Sequence, residues 1–158
     1  MRIMEITFKC VGLDAWLEKL QALQDIEKNP KVNKALGRGA ARVQAAVKLL
    51  TPVGLAEYGG TGNLRNKIFI DNPEPNVWQV TSNVEYAAFV EFGTGQLGDP
   101  SVPHTSKDHW TYYNEFTQSF FTTHGQKPVH MFQKGFDTTK KKVTEIVRKE
   151  VEEIVRNA

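Results

Sequence analysis

The amino-acid sequence predicts an α+β fold, a small, mostly antiparallel sheet packed by two or three long amphipathic helices. Three observations carry this expectation. Val32, Ala35, Leu36, Gly39, Val43, Ala46, Val47 and Leu50 recur at helical spacing and make one apolar stripe. Two strand-like segments, residues 64–70 and 77–82, flank the turn-rich Asp71-Asn72-Pro73-Glu74-Pro75-Asn76, for which a β-hairpin is the simplest connection. Residues 138–156 set Val143, Ile146, Val147, Val151, Ile154 and Val155 on one face against lysines and glutamates on the other, the pattern of an amphipathic C-terminal helix.

In chain order, residues 3–11 alternate roughly between apolar and polar and read as a strand, with Cys10 a small apolar member of it. Gly12 ends the strand. Asp14 can then cap a helix through Trp16, Leu17, Leu20 and Leu23. Asn29-Pro30 breaks that helix and suits the first turn of the next one, which Pro52 stops. Within it the small residues Gly37, Gly39, Ala40 and Ala41 weaken helix propensity but let another chain segment approach closely. Residues 53–63 are glycine-rich and read as a loop. Residues 85–92 fit either a short helix or a strand, closed by Gly93-Thr94-Gly95. Residues 96–127 are expected to form a long irregular loop insertion, in which the aromatic residues argue against permanent disorder.

With 158 residues, the chain is expected to form one domain over residues 1–158. Hydrophobic residues at 40% and charged residues at 24% are ordinary for a globular protein and unlike a disordered one. A net charge of +2 is too near neutral to argue for nucleic acid or an anionic membrane as the main partner. The single cysteine excludes an intrachain disulfide and fits a reducing compartment. The N-terminus lacks the apolar run of a signal peptide, and no segment approaches the roughly 20 apolar residues of a membrane span. The expectation is a chain made in the cytoplasm that stays soluble until something captures it.

No constellation of catalytic or metal-binding residues stands out. His104 and His109, and His124 and His130, lie in loop-like sequence away from the cysteine, which argues against a metal site. Glu85, Glu91, Asp99, Asp108 and Glu115 are read as solvated carboxylates and not as an acid–base pair, which would need two environments that drive their pKa values apart. The glycines at 54, 59, 60 and 62 do not make a GxxxxGK(S/T) loop, and Gly93-Thr94-Gly95 lacks the third glycine of a dinucleotide loop. Lys140, Lys141 and Lys142 form a basic run at the start of the expected last helix. It is read as a solvated face, with a residual case for an acidic partner because cations oppose the dipole at a helix N-terminus. No cofactor and no enzymatic activity are expected.

Three segments follow one another along the chain, TGNLRNKI at 61–68, YAAFVEFGTG at 86–95 and GQKPVHMFQKGF at 125–136. In this order they resemble the small minor-tail, or neck, family of lambdoid siphophages and their prophages. Thr61, Gly62, Leu64 and Arg65 match the family's first motif. Tyr86, Ala87, Phe89, Val90, Glu91, Gly93 and Thr94 match the second, and Pro128 matches the proline of the third. Gly60 stands in place of the usual aspartate, Lys134-Gly135 replaces a second proline, and both the 53–60 and 96–124 segments are longer than the pattern.

The resemblance implies a structural virion assembly protein at the head–tail junction, acting as an oligomeric ring, a hexamer or dodecamer, assembled in the bacterial host cytoplasm. Its partners would be copies of itself and the neighbouring head-completion and tail-tube or terminator proteins, with at most weak contact with DNA and none with membrane. A tail terminator ring is the near alternative, and a DNA-binding module using the lysine run and stacking aromatics is the alternative of a different class. Gly62 and Gly93 are expected to supply turns of positive φ, and Arg65 and Glu91 to make an ion pair within or between subunits. Tyr86, Phe89 and Phe92 are expected to pack in the core in preference to facing a partner. Trp110, Tyr112, Tyr113 and Phe116 are expected to order against neighbouring subunits.

Overall fold

The computed structural model describes residues 26–157 except 59, 104 and 106, together with residues 18, 20, 21 and 24. The expected strand over 3–11, Cys10, the capping Asp14 and His104 lie outside the described residues. Of the helix expected after Asp14, Glu18, Leu20, Gln21 and Gln24 are described, and all four are helical.

The fold is α+β. Helix α1 (Pro30–Leu50) begins as the sequence dictates: the Asn29 side chain accepts from the Lys31 N–H at 2.9 Å, with Pro30 in the first turn. It ends on Thr51, whose N–H and hydroxyl both donate to the Val47 carbonyl. A short helix α2 (Asn63–Asn66) leads into strand β1 (Ile68–Glu74), which pairs antiparallel with β2 (Val77–Ser82). Residues 64–66, expected to be strand, therefore close a helical turn. The strand proper starts at Ile68, after Gly62 has reversed the chain with φ 69°. Pro73 sits where the β1–β2 register shifts, the place in a ladder that tolerates a missing N–H.

Helix α3 (Ala87–Phe92) settles the ambiguity of that segment in favour of helix. Two further strand pairs follow, β3 (Thr94–Gly95) with β6 (Gly125–Gln126) and β4 (Trp110–Asn114) with β5 (Ser119–Thr123), both antiparallel. The irregular loop expected over 96–127 is thus corrected to an excursion that carries a regular hairpin. Its two strands have aromatics on both faces, which erases the alternation that would have announced them. Among the described residues the strands make three separate two-stranded ladders in place of one small sheet.

Helix α4 (Met131–Arg156) starts seven residues before the expected Thr138. It runs antiparallel to α1. Thr51 donates to Met131 Sδ at 3.3 Å at one end of the pair, and Arg38 bonds Glu150 at 2.6 Å at the other. Between them a Cβ on Gly39 would press on Val143, and one on Gly135 would meet the Val47 N at 3.0 Å and its Cγ2 closer still. The small residues of α1 thus admit a side chain, while Gly135 of α4 admits backbone. Val47, Leu64, Ile68 and Met131 make the buried core, with Val43, Val90, Val129 and Phe132 packed on it. Each such apolar side chain contributes about 1.5–3 kcal/mol on full burial.

The β1–β2 hairpin lies along α1. The Trp78 indole N–H and the Asn76 N–H both donate to Asn33 Oδ1, and the Trp78 ring rests over Gly37. Because α4 begins at Met131, the lysine run lies well inside the helix, which removes the dipole argument for an acidic partner. Lys140 pairs with Asp137 and Lys142 with Glu145. Hydrogen bonds from Lys142 and then Lys149, aided by their charge, draw the Glu145 carboxyl down to about 2.

Gly135→Val is expected to lower stability by about 1–3 kcal/mol through overpacking against Val47. The measurement is the urea midpoint, and an unchanged midpoint would contradict the close approach of the two helices.

Candidate functional site

The three sequence motifs converge on one place, where α3 meets the chain entering α4. Helical spacing in α3 turns Ala87, Val90 and Glu91 inward and Tyr86 and Phe89 outward. Glu91 is only 6% exposed. Its carboxylate accepts from the Phe132 N–H at 2.9 Å and the Gln133 N–H at 3.1 Å, the first free donors of α4. A negative charge at that position also opposes the positive end of the helix dipole. The same backbone meets α3 twice more, with the Val129 and His130 N–H groups donating to the carbonyls of Val90 and Glu91, each at 3.0 Å.

Gly93 makes this approach possible. Its φ is 74°, and a Cβ there would overlap the Gln126 carbonyl and crowd Pro128. Thr94 continues the seam, its hydroxyl accepting from the Gln126 N–H at 3.1 Å while its backbone pairs in the β3–β6 ladder. Pro128, the third motif's proline, therefore lies directly against the second motif's glycine. The expected positive φ holds at both Gly62 and Gly93.

Arg65 acts at the C-terminus of α1, which lies against the start of α4. Its Nη2 and Nε donate to the Thr51 carbonyl at 2.6 and 3.2 Å, so a cation closes the C-terminus of the helix. Within the subunit Arg65 and Glu91 do not pair with each other: each charge is bound to backbone at a helix end. Beside Arg65, a cleft of about 380 Å³ is lined by Pro52, Leu55, Thr61, Leu64, Tyr86 and Val90. It brings the first and second motifs together, with the tyrosine hydroxyl its one titratable group among the described residues.

The aromatic residues of the second motif are placed differently from expectation. Tyr86, Phe89 and Phe92 are exposed, with Phe89 at 59%, because a helix and not a strand sets their direction. Tyr112, Tyr113 and Phe116 are likewise exposed on the β4–β5 hairpin, and Trp110 is half-buried at its root. Sequence reasoning missed Asn33 and Thr51, whose importance comes from acceptors and donors reached across the fold. The described histidines do not gather into one cluster. His109 meets Asp108 at 3.3 Å, His124 lies beside His109, and His130 stands 3.7 Å from Asp99. Among the described residues no group of three or more His, Cys, Asp or Glu side chains could hold a metal ion, and no helix is long and apolar enough to cross a membrane.

The fold and site define a small α+β protein whose motif residues hold two helix ends in place and whose aromatic residues face outward. A family model matches residues 14–93, half of the chain, and covers the first motif and the second as far as Gly93. The chain belongs to that family, the HK97-gp10-like bacteriophage tail components. No curated protein and no solved structure matches it.

Glu91→Ala is expected to cost about 2–3 kcal/mol, because it leaves buried N–H groups of α4 without an acceptor. Glu91→Gln, which keeps one acceptor oxygen and loses the charge, should fall between the two. Thermal unfolding of the three proteins checks this, and equal stability of wild type and Ala variant would refute the capping role.

Proposed function

We propose that this protein is a structural component of the head–tail junction of a tailed phage virion, a neck or tail-completion protein that works as an oligomeric ring. It acts by surface complementarity and not by turnover. Membership of a tail-component family supports this reading, and one observation carries it further: the motif's charged residues are occupied inside the subunit while its aromatic residues stand on the outside. Large exposed apolar patches mark interaction surfaces on soluble proteins. Partners in this reading are further copies of the chain and the adjoining head-completion and tail-tube or terminator proteins. Contact with DNA is weak at most, since Lys140 and Lys142 already have carboxylate partners.

The test is electron microscopy of lysates from a phage or induced prophage with a nonsense mutation in the gene. DNA-filled heads beside unattached tails are expected. Tails of irregular length would assign a terminator role, and intact infectious virions would refute the reading. Replacing Trp110 and Phe116 together by serine is expected to spare folding and block assembly. Thermal unfolding followed by the same microscopy checks this, and a lost folded state would count against an interface role for the pair.

A further inference from the structure

Helix α1 carries five basic side chains and no acidic one over its 21 residues. The whole chain stands at +2, so α1 at +5 leaves −3 for everything else. Positive charge is segregated onto this helix. Lys31, Lys34, Arg38 and Arg42 follow one another at intervals of three, four and four residues, so they share one helical face. All four are exposed. The stripe they make is about 16 Å long, at 1.5 Å per residue.

Helix α4 shows how cations on a helix are ordinarily accommodated. Its Lys140, Lys142, Arg148 and Lys149 each pair with a carboxylate about one turn away. On the α1 stripe Arg38 meets Glu150 of α4, while Lys31, Lys34 and Arg42 have no carboxylate partner among the described residues. Successive like charges one turn apart repel, and Lys31 in the first turn opposes the positive end of the helix dipole. The stripe thus works against the helix that carries it. Local rules broken without a return to the fold mark functional surfaces.

We propose that this face of α1 binds the phosphate backbone of duplex DNA without reading its sequence. DNA presents a continuous row of anions, roughly one per 1.7 Å of axis, so a stripe of this length meets several at once. Base reading needs amide or other planar side chains at the surface. The two amides of α1 are occupied inside the fold: Asn33 accepts from Trp78 and Asn76, and Gln44 donates to the Ile68 carbonyl. Ala41 and Ala45, exposed beside the cations, are short enough to let the helix lie close to a phosphate surface. An acidic protein fits less well. Protein interfaces centre on aromatic anchors and are depleted of lysine, and α1 has no aromatic residue. Under the ring reading above, on which this assignment rests, DNA crosses the junction and this is the face turned to it.

Fluorescence anisotropy of the full chain with a labelled duplex, over a series of salt concentrations, tests the site. Binding is expected at low salt, alike for two duplexes of unrelated sequence. The slope of log K against log salt is expected at roughly −3 to −4, about 0.9 for each phosphate neutralised. Lys34→Gln with Arg42→Gln is expected to flatten that slope by about 2. Its thermal unfolding should be no lower than wild type, because a run of like charges has been broken. Lys140→Gln with Lys142→Gln removes equal charge at paired positions and is expected to leave the slope unchanged. No binding at low salt would overturn the site. Equal losses in the two double variants would overturn it too, since attraction by net charge alone would explain them. A marked preference for one duplex would overturn the backbone contact. The nonsense-mutant lysates decide the junction role separately, since a ring can stand there without touching DNA.

Discussion

The carboxylate of Glu91 is buried where α3 meets α4, bound to two backbone N–H groups that the helix itself cannot satisfy. A buried charge is tolerated only when it is well bonded, and this one is placed against the positive end of a helix dipole. Much of the architecture follows. With the first turn of α4 fixed, Met131 reaches Thr51 and Gly135 reaches the backbone of Val47, so the longest helix is laid antiparallel along α1. Arg65 performs the converse task on the Thr51 carbonyl, a cation at the negative end of α1. Two charges of opposite sign thus hold two helix ends of opposite polarity, and the core of Val47, Leu64, Ile68 and Met131 fills the space between.

Much of this fold was legible because local and tertiary signals agree. The Asn29-Pro30 start, the stripe through Val47 and the β1–β2 hairpin are each encoded within a few residues. The glycine turns at 62 and 93 were readable too, since only backbone conformation is at stake there. The site was less so. The roles of Arg65 and Glu91 depend on partners 14 and 41 residues away, and no spacing rule reports a side chain that caps a distant helix. The start of α4 was misplaced for the same reason. His130 precedes it with φ 54° and no side-chain cap of its own, so the usual local signature is missing. The β4–β5 hairpin was hidden by its composition, because strands with aromatic residues on both faces show no two-residue period.

The division of labour within the second motif follows from helix geometry. Six residues of α3 turn one side into the core and present the other to solvent, so Ala87, Val90 and Glu91 serve the fold while Tyr86 and Phe89 remain available outside it. A strand at the same place would have put Phe89 and Glu91 on one face and forced the two roles to compete.

The β3–β6 ladder has one more consequence. Thr94 and Gly95 pair directly with Gln126 and Gly125, so the 29 residues between them leave the body and return to it at a single point. The body touches this excursion through Asp99 and at the root of the hairpin, so it sets no limit on how far β4 and β5 extend beyond Trp110. Each doubling of a loop adds only about 0.6 kcal/mol of closure entropy. The hairpin can be lengthened, trimmed or exchanged as a cassette while the helices beneath keep their places, which gives evolution a way to change what this surface fits without redesigning what holds it.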